Sequence, residues 1–174
     1  MSRNDRLHGR ATRRDRSPLG EQQFTCVHCQ LYVSCAPSVA GVQNRNHCPY
    51  CLHSRHLDWR EPGDRMSNCR APMEPVGLTT RRSRNKYAGE RDGELMLIHR
   101  CTGCGKLVIN RVAADDDADA ILALFEGSLA MGPALAAELT LQGVAALTAA
   151  DGELLRRRLF GAAAAPQGAL RRSA

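Results

Sequence analysis

Eight cysteines carry the clearest chemical signal in this 174-residue chain. Six of them form three Cys-x-x-Cys pairs, which are Cys26/Cys29, Cys48/Cys51 and Cys101/Cys104. A Cys-x-x-Cys turn directs two thiolates toward one point, so two such turns complete the tetrahedral four-sulfur site that Zn²⁺ prefers. Eighteen residues separate the first two pairs, a spacing typical of four-thiolate zinc ribbons. The sequence therefore predicts a zinc site made by Cys26, Cys29, Cys48 and Cys51.

A redox function for these thiols is the alternative, and the rest of the chain argues against it. A thioredoxin-like pair needs a neighbouring βαβ pattern, and no such pattern is present. Residues 1–23 lack the apolar stretch of a secretory signal, and no apolar run approaches the length of a membrane-spanning helix. We therefore expect a cytoplasmic protein without a membrane partner, in a compartment where thiols stay reduced and bind metal.

Charge is unevenly distributed along the chain. Residues 24–112 carry thirteen basic and seven acidic side chains, a net charge of +6. The leader 1–23 adds +3, whereas residues 113–174 have a net charge of −3. A positive excess on the Cys/His block favours a polyanionic partner such as RNA, although an Arg-rich composition also serves solubility alone.

Short motifs around the cysteines resemble those of the RNHCP-domain family. The signature Arg45-Asn46-His47-Cys48-Pro49 is present in full. Further matching segments are Cys26/Cys29, Cys51-Leu52-x-Ser54-x-His56-x-Asp58, Pro62-Gly63-Asp64-Arg65, Cys69-x-x-x-Met73-x-Pro75, His99-Arg100-Cys101-x-x-Cys104-Gly105 and Asn110-Arg111-x-Ala113-x-Asp115-Asp116. Two departures, Ala71 for Gly and Asp117 for Asn, fall outside the metal-ligand positions. The family is mainly bacterial, so the resemblance implies a bacterial origin and a fold unit over about residues 24–117, but no reaction.

The resemblance also suggests how Cys101 and Cys104 complete a second zinc site. Cys69 is the one remaining cysteine within the family pattern and is our predicted third ligand. The fourth ligand is left open among four candidates, which are His56, His99, His47 and Cys35. We favour His56, because His99 lies only two residues before Cys101 and would crowd a tetrahedral site. Asp58 is a candidate to orient His56.

Hydrophobic periodicity predicts the elements that position these ligands. Alternating residues and turn signals predict strands at 24–26, 31–33, 57–59, 76–80, 94–99 and 107–109. Asp115-Asp116-Asp117 is a potential N-cap, and the helical spacing of the apolar residues that follow it predicts a first helix. The pattern predicts a second helix over 133–147 and a third after Thr148-x-x-Asp151. The predicted fold is a small β-rich, zinc-ribbon-like α+β domain at 24–117 with a helical appendage at 118–160. A disordered basic arm at 1–23 and a disordered tail at 161–174 flank it.

Arginines near the predicted metal sites provide the functional hypothesis. Arg forms bidentate contacts with phosphate, and an exposed Trp or Tyr can stack on a base. The predicted RNA-contacting residues are Arg45, Arg65, Arg81, Arg82, Arg84, Lys86, Arg100, Lys106 and Arg111. Structured RNA, such as ribosomal RNA, is the favoured partner. The alternatives are a zinc-shaped protein–protein adapter that uses the helices and, third, a metal-dependent enzyme, for which we identify no catalytic residues.

Overall fold

The computed structural model describes residues 23–81 and 93–161. A two-stranded antiparallel ribbon contains β1 (Gln23–Thr25) and β2 (Tyr32–Ser34). A four-stranded antiparallel sheet follows in the order β3 (Ser54–Arg55), β4 (Pro72–Arg81), β5 (Glu94–Cys101) and β6 (Leu107–Arg111). The helices are α1 (Pro37–Ala40), α2 (Ala118–Ser128), α3 (Pro133–Leu141) and α4 (Gly152–Phe160). This architecture confirms the predicted small β-rich fold with a C-terminal helix.

Strand β5 forms the centre of the hydrophobic core. Its four consecutive apolar residues, Leu95 to Ile98, are all buried, as expected of a strand covered on both faces. Leu97 belongs to a cluster that includes Phe125 of α2 and Leu155 of α4. Ile98 instead packs with Leu107 and with Leu139 of α3. Helices from residues 118–160 thus complete the core of the sheet, and the predicted boundary at residue 117 marks a change in composition rather than a gap between two cores.

Helix boundaries follow specific capping groups. Asp117 is the N-cap of α2, and its side chain accepts the N–H groups of Asp119 at 2.8 Å and Ala120 at 3.1 Å. Thr148 and Asp151 form the predicted capping box before α4. Helix α3 ends at Leu141 rather than at residue 147, because Gly143 adopts a left-handed φ of 69° and turns the chain.

Among the described residues, no single helix is long and apolar enough to cross a membrane. Helices α2 and α3 reach the required length and composition only as a pair, and that pair is bent by 105°. The predicted basic arm and tail, apart from Gln23 and Gly161, lie outside the described residues, as do Arg82, Arg84 and Lys86 of the predicted RNA-contacting set.

Candidate metal centres

All three Cys-x-x-Cys segments fold into the same backbone turn. The N–H of Cys26 donates to the carbonyl of Leu31 at 2.9 Å, and the N–H of Gln30 donates back to the carbonyl of Cys26 at 3.1 Å. The equivalent bonds are both 2.9 Å after Cys48, and 2.9 and 3.0 Å after Cys101. Because each turn reverses the chain tightly, the residue after the second cysteine is left-handed in every case, at Gln30, Leu52 and Gly105.

The first two turns bring four sulfur atoms together, as predicted. Cys26 Sγ lies 3.6 Å from Cys51 Sγ, and Cys29 Sγ lies 3.6 Å from Cys48 Sγ. All four sulfurs are within 4.8 Å of one another. A disulfide bond would require about 2.05 Å, whereas a tetrahedron with Zn–S bonds of about 2.3 Å has edges of about 3.8 Å. We call this cluster site 1, and its donor set and spacing fit a structural Zn²⁺ ion.

Two of the four site 1 ligands are buried, and Cys29 and Cys51 are half-buried. Cys26 is 1% exposed and Cys48 is fully buried, and both pack against Val33 of β2. Burial raises the pKa of the Cys48 thiol to about 11, since a thiolate is poorly solvated there. A thiol with this pKa is protonated at neutral pH, so Zn²⁺ binds there by displacing protons.

The third turn completes a second cluster with two residues from elsewhere in the chain. Cys101 Sγ lies 3.6 Å from Cys69 Sγ, and Cys104 Sγ lies 3.3 Å from His56 Nδ1. The four ligand atoms are within 4.8 Å of one another. Three thiolates and one imidazole form a common structural zinc set. We call this cluster site 2, and its ligands fit Zn²⁺ with His56 as the fourth ligand.

The other candidates for the fourth ligand are engaged elsewhere. His99 is fully buried, and its Nε2 and Nδ1 atoms bond to the Leu52 carbonyl at 2.7 Å and the Asn110 amide at 2.9 Å. Burial and the neighbouring His47 lower the pKa of His99 to about 3, so its ring is neutral. Cys35 Sγ faces the carbonyl of Arg45 at 3.8 Å.

Residues of the Arg45-Asn46-His47 signature fasten the second turn to the segment before α2. Arg45 donates to Asp115 and to Asp116, both at 2.7 Å, and its side chain is fully buried. His47 Nε2 lies 2.8 Å from the same Asp116 carboxylate, which also accepts the N–H of Ala113. The prediction that Arg45 contacts RNA must therefore be corrected, because its guanidinium is buried and ion-paired with Asp115 and Asp116. Asp115 and Asp116 likewise belong to this network and do not cap the helix.

Loop 58–66 is built by two carboxylates, and it replaces the strand predicted at 57–59. Asp64 accepts the N–H groups of Trp59, Arg60, Glu61 and Met66 at 2.8–3.0 Å. These bonds hold the pKa of Asp64 well below its usual range. The Asp58 carboxylate accepts the N–H groups of Gly63 and Arg65 rather than orienting His56.

This loop exposes a large aromatic ring beside a series of cations. Trp59 is 53% exposed, and Lys106 Nζ lies 5.5 Å from the centre of its ring while also donating to its carbonyl. Arg55, Arg60 and Arg70 are exposed on the same segment, and the Arg55 Nε atom donates to the Arg70 carbonyl at 3.1 Å. Sequence reasoning missed these three arginines. The sequence feature that could have revealed them is the recurrence of arginine at every fifth position from 55 to 70.

The remaining predicted cations have different surroundings. Arg65 is partly buried, and its Nη2 donates to the Arg45 carbonyl at 3.2 Å. Arg100 pairs with Glu138 of α3 at 3.3 Å, and Arg111 pairs with Glu94 at 3.1 Å. Arg81 is exposed at the end of β4. The structure thus joins Lys106 to the Trp59 loop, whereas the Arg100 guanidinium pairs with Glu138.

The β-rich fold and the two four-ligand clusters define a zinc-binding domain. A family model described as the RNHCP domain matches residues 21–122, more than half of the chain. The protein therefore belongs to the RNHCP-domain family, as its motifs predicted. Searches of curated proteins and of solved structures found no match.

Proposed function

We propose that this zinc-binding domain binds RNA through the surface next to site 2. We call this surface the Trp59 face and define it by the residues Arg55, Trp59, Arg60, Arg70 and Lys106. The observation that carries the proposal is the exposed Trp59 ring, with a cation stacked on one side and arginines on either side along the chain. Proteins that bind unpaired nucleic acid combine such aromatic platforms with cations that follow the phosphates.

The charges on the Trp59 face favour an anionic partner. Among the described residues, no carboxylate lies within salt-bridge distance of Arg55, Arg60, Arg70 or Lys106. Two loop carboxylates, Asp58 and Asp64, are occupied by backbone N–H groups, which leaves Glu61 as the one exposed acid of the described loop 58–66 beside four cations. The positive charge of this surface is therefore available to phosphate groups.

Paired substitutions on and off this surface test the proposal. Trp59→Ala removes the platform, and Arg60→Ala removes a cation whose side chain makes no hydrogen bond or ion pair with the described residues. Base stacking contributes about 1–3 kcal/mol, so we expect Trp59→Ala to weaken RNA binding roughly 5- to 150-fold. Arg60→Ala should lower the slope of log affinity against log salt by about 0.7, the value for one phosphate on a single strand.

Two exposed residues on other elements supply matched controls. Tyr32→Ala removes an aromatic ring from β2 that is 75% exposed, and Arg156→Ala removes an exposed arginine from α4. Fluorescence anisotropy with labelled single-stranded and hairpin RNA, at several salt concentrations, measures all four variants. The zinc content should stay at the wild-type value in each. If Trp59→Ala and Arg60→Ala bind RNA as the controls do, the proposal is wrong.

A protein–protein adapter remains the second candidate, and one observation favours it. Leu129, Leu141 and Phe160 are 46%, 88% and 48% exposed on the helical part of the chain. Exposed apolar side chains of this size can form contacts with a partner. Affinity capture from lysate with and without nuclease separates the two functions, because a protein partner survives nuclease treatment and an RNA-mediated one does not.

A further inference from the structure

A cleft at the edge of the sheet formed by β6, next to the Arg45-Asn46-His47 signature, has the composition of a small-ligand site. Its volume is about 320 Å³, within the range of about 300–1,000 Å³ that is usual for such sites. The polar lining is made by Asn44, Asn46, His47, Arg81, Asn110 and Arg111, while Met96 and Ile109 form an apolar part. Among the described residues, no Asp or Glu lines the cleft. We call it the asparagine cleft.

Hydrogen bonds inside the protein hold the polar lining in place. His99 donates from Nε2 to the Leu52 carbonyl, so its Nδ1 accepts from the amide of Asn110, and the Asn110 side chain is oriented. His47 is held through Nε2 by the Asp116 carboxylate. Preorganised polar groups of this kind bind a ligand without the cost of ordering them first.

Two amide groups in the cleft have hydrogen-bonding capacity to spare. Asn46 is 8% exposed, and its side-chain amide has no hydrogen-bond partner among the described residues. The Asn110 oxygen likewise has no partner there, since only its nitrogen is used. An amide presents one donor and one acceptor side by side, which matches the edge of a nucleobase.

The rim of the cleft carries the positive charge. Arg81 and Arg111 lie on the strands on either side of β5, where Arg81 is opposite Glu94 and Arg111 pairs with Glu94 at 3.1 Å. Two guanidinium groups around one carboxylate leave a net positive charge. Arg45 also lines the cleft, but Asp115 and Asp116 neutralise it. A ligand with an anionic end near the rim and a planar hydrogen-bonding end inside suits this arrangement.

We infer that the asparagine cleft binds one unpaired nucleotide of an RNA strand, with its base against the asparagine amides and its phosphate near Arg81 and Arg111. This inference rests on the proposed function and assigns a specificity site to it. Pro62 lines the cleft and belongs to the same loop, 58–66, that carries Trp59 and Arg60. A strand lying on the Trp59 face can therefore place a neighbouring nucleotide in the cleft.

Nuclear magnetic resonance of the zinc-loaded full chain tests the inference directly. The probes are the four ribonucleoside 5′-monophosphates and inorganic phosphate. We expect at least one monophosphate to shift the side-chain amide signals of Asn46 and Asn110 in a saturable manner. Inorganic phosphate should leave those amide signals in place, because it has no base. Absence of any saturable shift at the two amides would overturn the inference.

Substitutions in the cleft provide the second test. Asn46→Asp places a carboxylate of the same shape beside the base and phosphate, and Arg111→Gln removes a rim cation that is exposed and so tolerates replacement. Each should weaken monophosphate binding at least tenfold. Arg100→Gln is the control, because Arg100 is another exposed, ion-paired arginine that does not line the cleft. Equal binding by Arg111→Gln and Arg100→Gln would contradict the assignment, even if Asn46→Asp fails to fold.

RNA binding measured on the same variants separates failure of this inference from failure of the proposed function. RNA binding that is lost in Trp59→Ala but unchanged in Asn46→Asp and Arg111→Gln overturns the cleft assignment and leaves the proposed function intact. Monophosphate binding without RNA binding overturns the proposed function and, with it, the assignment of the ligand to an RNA strand. Weaker RNA binding in both cleft variants, with loss of preference among the four bases in Asn46→Asp, supports the inference.

Discussion

Site 1 and site 2 use the same cysteine turn but complete the metal set in different ways. Site 1 combines two turns that are close in the sequence, and its Cys26 and Cys48 side chains are buried. Site 2 has one turn, and it recruits His56 and Cys69 from the segments around β3 and β4. Both Cys69 and Cys104 are exposed. The ligands of site 1 are thus positioned mainly by local turns, whereas those of site 2 are positioned by strand pairing.

Strand pairing around site 2 can be followed bond by bond. The N–H of His56 donates to the carbonyl of Ala71 at 2.9 Å, which extends the pairing of β3 with β4. Met73 of β4 is in turn opposite Cys101 of β5. Site 2 therefore requires three correctly registered strands before its ligands meet. Site 1 therefore stabilises the N-terminal ribbon, and site 2, with its two exposed thiolates, joins the sheet to the Trp59 loop.

The largest difference between the sites should appear when one ligand of each is replaced. Cys48→Ser removes a buried ligand of site 1, and because structural zinc contributes about 10–16 kcal/mol to folding, we expect β1, β2 and the turns around them to unfold. Cys69→Ser removes an exposed ligand and should loosen loop 58–66 while the sheet persists. Native mass spectrometry for zinc content and near-ultraviolet circular dichroism measure both. Equal loss of structure in the two variants would contradict the comparison.

Asp116→Asn tests the ion-pair network that holds the second turn of site 1. The substitution leaves the buried Arg45 and His47 without their shared carboxylate, and breaking a buried pair costs about 3–5 kcal/mol. Asp115→Asn is the matched control, because the Asp115 side chain is 29% exposed and partly exposed ion pairs contribute about 1 kcal/mol or less. Chemical denaturation with zinc present measures both variants. A cost for Asp116→Asn no larger than that for Asp115→Asn would show that the network is not structural.

Gly103→Ala should perturb site 2 alone. A Cβ atom added at Gly103 would lie 2.8 Å from the Cβ of Ala71 and 3.3 Å from the sulfur of Cys69. Overpacking of this kind costs about 1–3 kcal/mol, and the displaced thiolate should weaken zinc binding at site 2. The double variant Ala71→Gly, Gly103→Ala removes the closest clash and should recover most of the affinity. A zinc competition titration of the single and double variants checks this, and no recovery would mean that the contact with Cys69 dominates.

The smallest expected effect is a difference between the two sites in the rate of zinc release, because the Cys69 and Cys104 thiolates of site 2 are exposed. A chelator reaches Cys69 and Cys104 without local unfolding, whereas it reaches Cys48 only after the N-terminal ribbon opens. We expect zinc release in two phases, with the faster phase from site 2 at least tenfold quicker. A colorimetric chelator measures the phases in the wild type, and Cys69→Ser should lack the fast one. A single phase in the wild type would contradict the predicted difference in access.

The sequence alone predicted the features of this protein that depend on residues close together in the chain, because residue spacing determines which side chains meet in a local turn, strand or helix end. The ligands of site 1 lie in two local turns, so Cys-x-x-Cys spacing alone predicted them. The apolar run Leu95 to Ile98 predicted a buried strand, and Asp117 capped the predicted helix. The family followed from the signature around Cys48 and was confirmed over residues 21–122.

Tertiary structure decided the questions that depend on contacts between distant residues. Four residues were open as the fourth ligand of site 2, and only the fold shows that His56 faces Cys104 while His99 is held by Leu52 and Asn110. Sequence could not show that Arg45 is an interior cation, because its partners Asp115 and Asp116 lie about seventy residues away. The net charge of a sequence does not show where each charged side chain lies. The fold alone determines which arginines are paired internally and which lie beside Trp59.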